Sequence, residues 1–267
     1  MDWKLPERLG IWRLGALLHA NETVCVTRAQ PVDAIGSPRW DYVVKLGDRQ
    51  NVQWLIDRSI NAGAALAHPN IVPVLDGDAT GQLPYLVMPA LEGKTMQWHL
   101  KRGPKKPLPV ALWLVRQVCQ AIESMRLVGW THGNITPNNL IVGSNGHVTL
   151  IDFASAHDGL TDNGFIPPLQ VFRSATNYMA PEISQGTEST THASDLFATG
   201  KILWEWLTRV DTSNEIQLSP VCELVEQMVD QIPTRRPTAG EVTQALLRLE
   251  IDTLGDHIGP DSKRRAA

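Results

Sequence analysis

The local patterns along the chain predict an α+β protein in two lobes, a small β-rich one first and a larger helical one after it. Residues 12–45 alternate in the manner of strands, and the stretches that open at Pro109 and Ser194 repeat apolar residues at helical spacing. A length of 267 residues exceeds one ordinary domain and suits two lobes sharing a cleft.

Within residues 12–45, Val24-Cys25-Val26 and Tyr42-Val43-Val44-Lys45 are strands, and residues 30–38 between them read as loop. Residues 53–67 set Trp54, Ile56, Ile60 and Ala64 on one helical face, though Gly63 weakens such a helix by about 1 kcal/mol relative to alanine. Pro109 opens a helix through Ala111, Leu114, Val115, Val118, Ile122 and Met125 that ends near Gly129. Residues 154–180 are long and irregular, after which Ser194-Asp195 begins a very apolar helix through Leu203, Trp204 and Leu207. Thr238 and Glu241 form a capping box for the last helix.

Composition excludes several classes. Hydrophobic content of 43% and charged content of 19% describe an ordinary globular chain, and a net charge of -4 argues against a nucleic-acid partner. The basic cluster Lys263-Arg264-Arg265 reads as a solvated tail. No apolar run reaches the length of a membrane span and the first residues lack the pattern of a signal peptide, so a cytoplasmic protein is expected. Cys25, Cys119 and Cys222 are scattered through apolar segments, which fits reduced thiols rather than a disulfide framework or zinc site. The tryptophans are dispersed and read as core or half-buried residues, not as a cofactor cage.

The centre of the chain is residues 131–153. Two apolar runs, 140–142 and 148–151, flank Gly143-Ser144-Asn145-Gly146, the signal for a small hairpin. Asn139 precedes the first strand and Asp152 follows the second, so antiparallel pairing brings both oxygens to one end, where they could hold a hard cation such as Mg²⁺ with nucleotide phosphates. Asn and Asp at such places also simply terminate strands and shape turns. On this stretch alone both readings stand.

The order of motifs decides between them. His132-Gly133-Asn134-Ile135-Thr136-Pro137-Asn138-Asn139 resembles the catalytic loop of protein kinases, Asp152-Phe153-Ala154 resembles their D-F-G, and Ala180-Pro181-Glu182 matches A-P-E. His68-Pro69-Asn70-Ile71-Val72 is similar to bacterial-type Ser/Thr kinases. The resemblance runs from about Trp12 to Leu249 and implies a kinase-like N-lobe and hinge over 9–91, a C-lobe over 92–255 and a tail over 256–267. It implies ATP and Mg²⁺ as ligands, with Lys45 on the α- and β-phosphates and Asn139 and Asp152 on the metal. Val24, Val43 and Ile141 would form apolar walls for adenine. The hinge follows Met88, where Pro89 need offer only a carbonyl and Leu91 keeps its N–H. It also implies that Asp195 binds catalytic-loop amides and that Glu182 pairs with Arg236.

The departures cluster by role. Asn134 stands where the family has its proton-accepting aspartate, and a carboxamide is no base near neutral pH. Thr136 stands for the catalytic-loop lysine, Ala175 for the threonine that touches both, and Gly133 for an arginine. Leu17, His19 and Glu22 replace the phosphate-covering glycines, and Ser59 replaces the glutamate that pairs with the lysine. The resemblance therefore implies a pseudokinase, an interaction or allosteric signalling module with a protein partner and weak ATP-Mg²⁺ binding. A low-activity Ser/Thr protein kinase is the alternative. A small-molecule phosphotransferase ranks last, because His-Gly-Asn is similar to the H-G-D of aminoglycoside kinases but those enzymes lack A-P-E.

Overall fold

A computed structural model describes residues 3–34, 36–47, 49–159, 177–186, 189–210 and 215–258. Ala175 and most of the irregular stretch 154–180 lie outside them, as does most of the tail.

The first part of the chain is a six-stranded antiparallel sheet of β1 (Arg8–Leu9), β2 (Trp12–Ala20), β3 (Val24–Pro31), β4 (Tyr42–Gly47), β5 (Asp76–Asp78) and β6 (Tyr85–Pro89), in the order β1-β2-β3-β4-β6-β5. Strand β3 continues to Pro31, two residues into the stretch read as loop. The side-chain period of two decides what faces where. Val44 and Leu46 are 0% exposed and pack with Trp12, Cys25, Ala29 and Val87, which leaves Lys45 between them on the opposite face, toward the cleft.

Helix α1 (Arg49–Ala65) lies against this sheet through Ile56, which packs with Ala79 and Leu86. Gly63 has a packing reason that the pattern alone does not show. A Cβ there would sit 2.5 Å from side-chain atoms of Val74, so glycine is what lets the helix come this close.

The second part is helical: α2 (Met96–Arg102), α3 (Leu108–Leu127), α4 (Pro181–Ser184), α5 (His192–Leu207), α6 (Glu215–Met228) and α7 (Ala239–Ile258). Helix α3 is buried on most sides, with Leu112, Val115, Cys119 and Ile122 at 0 % exposed, and it packs on α5 and α7 through a core that includes Leu203 and Trp206. Trp204, read as part of that apolar run, is 49% exposed, because its neighbours Leu203 and Trp206 take the inward face of α5. Thr238 and Glu241 cap α7 reciprocally, at 2.7 Å from the Thr238 N–H to Glu241 and 3.2 Å from the Glu241 N–H to Thr238. Cys25 and Cys119 are buried free thiols, and burial pushes Cys119 up to about 12, out of reach of thiolate chemistry.

Short strands join the parts. β7 (Lys94–Thr95), β9 (Leu140–Val142) and β10 (Val148–Leu150) form a three-stranded sheet, with Leu150 opposite Leu140 and Val148 opposite Val142. β8 (Trp130–Thr131) pairs with β11 (His157–Asp158). The β9-β10 hairpin is the one expected from residues 131–153.

Glu182 and Arg236 meet as a two-pronged ion pair at 2.7 and 2.8 Å, their side chains 6% and 0% exposed. The same guanidinium donates to the carbonyls of Asp230 and Ala193 and lies over the Phe197 ring. Removing the cation takes a two-pronged, buried guanidinium partner from the Glu182 carboxylate, so Arg236→Ala should cost about 3–5 kcal/mol of unfolding free energy. Urea denaturation measures this, and a loss below about 1 kcal/mol, the worth of an exposed pair, would show that the pair does not tie α4 to the helical part.

Candidate nucleotide site

The site is built on the loop between β8 and β9. Asp195, 2% exposed in the first turn of α5, accepts the N–H of His132 at 2.8 Å and that of Gly133 at 2.9 Å. Burial pushes its carboxyl up to about 7, against the two amides that favour the charged form. Gly133 has φ of +73°, and a Cβ there would meet the Ser155 carbonyl and the Thr190 hydroxyl at 2.9 Å, so this bend suits glycine both conformationally and sterically.

His132 is wholly buried. Its Nδ1 accepts the Asn134 N–H at 3.2 Å, which leaves Nε2 to donate to the Ile151 carbonyl at 3.2 Å, and the ring packs edge-on against Phe153. The neutral ring thus has both nitrogens satisfied, and burial lowers its pKa to about 4.

Beyond the bend the loop carries Asn134, whose Oδ1 is buried with no partner among the described residues. Thr136 is 2% exposed ahead of a 3-10 turn, Pro137–Asn139, that delivers Asn139 to the cleft. Asn139 donates from Nδ2 to the Asn134 carbonyl at 3.0 Å, and its own carbonyl accepts the Ile151 N–H at 2.9 Å. Asp152 follows β10 with φ of +68°, the one non-glycine residue with positive φ among those described. Lys45 Nζ meets its carboxylate at 2.5 Å. Burial would raise the Asp152 pKa, but the charge and hydrogen bond of Lys45, with smaller help from His132 and the Ala154 amide, hold it below the ordinary value. Its side chain is 34% exposed, toward the cleft.

A cleft of about 400 Å³ collects Val24, Val43, Lys45, Pro89, Leu91, Asn139, Ile141 and Asp152, the residues that the sequence singles out for nucleotide and metal. Asn134 and Thr136 do not line it. Leu18, Asn21, Val26 and Ile151 line it as well and are not legible from the motifs. Asn21 carried a usable signal, since Asn before a short strand connection forms side-chain-closed turns. Here its Oδ1 accepts the N–H groups of Thr23 at 2.9 Å and Val24 at 2.8 Å. Ser59 is 3% exposed and donates to the Leu55 carbonyl at 2.8 Å within its own helix, so it gives Lys45 no carboxylate.

Two lobes around a cleft, with an aspartate-anchored loop and a lysine facing the aspartate after a hairpin, define a kinase-type architecture. Residues 42–219 match the family model described as protein kinase domain, and the chain belongs to that family. It is 31% identical over 153 residues to a probable serine/threonine-protein kinase of Clostridium perfringens, covering 57% of this chain and 22% of that protein. It is 30% identical over 155 residues to the serine/threonine-protein kinase PknB of Mycobacterium leprae, 57% of this chain and 25% of that protein, and 30% identical over 195 residues to PknD of Mycobacterium tuberculosis, 69% and 28%. The matched region thus spans about a quarter of the length of these relatives. Among the described residues no helix is long and apolar enough to cross a membrane.

The buried imidazole sets a pH dependence. Because the folded His132 titrates near 4 and its unfolded form near 6.5, its stabilising effect is complete above 6.5 and is lost as pH falls through 4. Asp195, raised to about 7, acts with the opposite sign, favouring the fold as pH falls. His132→Phe isolates the first effect. Between pH 7 and 4 the stability of the wild type relative to this variant should fall by about 3 kcal/mol, measured by denaturant unfolding at each pH. A constant difference would show that the buried ring is not held neutral.

Proposed function

We propose that this chain is a kinase-fold interaction or allosteric signalling module with little or no phosphotransfer activity. One observation carries this reading. The catalytic loop is fully assembled, with Asp195 on its amides and His132 locked beneath it, yet it presents a carboxamide at Asn134 and a buried hydroxyl at Thr136. A loop in this shape without a carboxylate has no group to accept a proton, and without a lysine it brings no positive charge to a transferring phosphate. Nucleotide binding in the cleft and a protein partner fit the same reading.

The cleft fits one end of ATP better than the other. Apolar side chains and the Leu91 N–H, which has no acceptor among the described residues, suit a purine. Asn139 and Asp152 are the groups that would hold Mg²⁺; the Asp152 carboxylate is already paired with Lys45, while Asn139 donates from Nδ2 to the Asn134 carbonyl, which leaves its Oδ1 for a cation. A weak Ser/Thr kinase is the second reading, favoured by Lys45, Asn139 and Asp152 lining one cleft and by the names of the relatives. Loss of a general base typically costs about 10²–10⁴ in rate, which need not abolish transfer.

Labelled-phosphate transfer to a generic protein substrate and to the chain itself tests the two. Wild type should be inactive. Asn134→Asp should recover little, and Asn134→Asp with Thr136→Lys and Ala175→Thr should recover more, because groups that act as a unit are not additive. Robust wild-type transfer that is lost in Asp152→Ala would overturn the proposal in favour of the kinase.

A further inference from the structure

Resting on the reading of the cleft as a nucleotide-type site, we infer that it recognises a purine nucleoside through its base, with neither phosphates nor Mg²⁺ contributing to affinity. Three features of the cleft point the same way.

The roof is closed to phosphates. A polyphosphate is held where backbone N–H groups are left free to point at it and no side chain intervenes. Here β2 runs on as a strand to Ala20, and Leu18 and His19 line the cleft at that end. The turn that follows is closed by Asn21, whose Oδ1 occupies the Thr23 and Val24 amides, while the Asn21 N–H donates to the Val24 carbonyl at 2.9 Å. The N–H groups of Asn21, Thr23 and Val24 are thus spent inside the turn rather than left to a phosphate.

The floor offers no uncompensated charge. Lys45 and Asp152 form a contact pair, and among the described residues no second carboxylate holds the lysine, Ser59 bonding within its own helix. To bind phosphate, Lys45 must leave Asp152, and to bind a metal, Asp152 must leave Lys45. Asn139, the other metal-side oxygen, is oriented by its amide on the Asn134 carbonyl. The net charge that this pair presents to an incoming anion is zero, so the long-range attraction that would draw in a polyphosphate is absent.

The inner end is intact. Val24, Val26, Val43, Met88, Ile141 and Ile151 form an apolar slot, and Leu91 supplies an N–H. Ala90 is tied back by its N–H to the Asp41 carbonyl at 2.8 Å, which fixes the strand end from which that donor projects. A flat heteroaromatic ring with an acceptor in its plane matches an apolar slot with an N–H donor at its edge.

Isothermal titration of the protein with adenosine, ADP, ATP and tripolyphosphate, each in MgCl₂ and in EDTA, tests this. Adenosine and ATP should bind within about threefold of each other, chelation should change neither by more than about twofold, and tripolyphosphate should give no signal, each tenfold step being about 1.4 kcal/mol. The double variant Leu18→Gly with Asn21→Gly, which clears the roof and frees the turn amides, should shift preference toward ATP. The tripolyphosphate arm depends on no variant's folding. A larger ATP preference, loss of binding in EDTA, or no binding of any ligand would overturn the inference. Phosphotransfer is read separately, so ATP-selective, Mg²⁺-dependent binding without transfer would sink this inference alone, whereas transfer would sink the proposed function too.

Discussion

Asp195 puts a carboxylate under the loop between β8 and β9, where it accepts two consecutive backbone N–H groups. That buried anion has no lysine or arginine opposite it among the described residues, so its solvation comes from those amides. The arrangement works in both directions. The amides make the carboxylate tolerable in a site 2% exposed to solvent, and the carboxylate holds the backbone at Gly133 in its left-handed bend. From that bend follow the placement of His132 under Ile151, of the 3-10 turn, and of Asn139 in the cleft. The helical part of the molecule thereby sets the geometry of a site whose other half comes from the sheet.

The groups that support the loop and the groups that would perform chemistry on it have different fates in this chain. Asp195, His132, and the pair of Glu182 and Arg236 each satisfy buried polar atoms, and losing any one would strand a partner away from water. Asn134 and Thr136 leave the frame in place, although the buried Oδ1 of Asn134 has no partner among the described residues. A carboxamide is nearly the shape of a carboxylate, so the loop accommodates it while the charge is gone.

The contact between Lys45 and Asp152 has a comparable logic. A lysine on the cleft face of β4 is stranded unless an anion reaches it, and Ser59 on α1 cannot be that anion. Asp152 supplies it across the cleft, from a positive-φ conformation that costs an L-residue roughly 1–2 kcal/mol. The contact joins the sheet to the hairpin and offsets part of that strain.

Much was legible without coordinates. Alternation at Val43, Val44 and Lys45, the helical spacing from Ala111 to Met125, and the hairpin around 143–146 depend on local periodicity and turn chemistry, which the chain carries in its own order. The identity of the cleft residues was legible too, because motif order ties Lys45 to Asp152 across 107 positions. What pattern could not supply were facts that depend on which atoms meet. Gly63 read as a weak point and proved to be where Val74 presses on α1. Trp204, in an apolar helical run and among the tryptophans read as core or half-buried, faces outward. Leu18 lines the cleft from a β2 whose pairing with β3 shifts register twice between Leu14 and His19, Asn21 lines it from the turn after β2, and Val26 shares the face of Val24 by the two-residue period. The sequence by itself determined the elements, their order and the residue types that stand at each motif position, since these reside in local spacing and residue type. Tertiary structure alone decided which amides are spent, which charges cancel and which side chains close the cleft, because hydrogen bonds and contacts are properties of atoms brought together from distant parts of the chain.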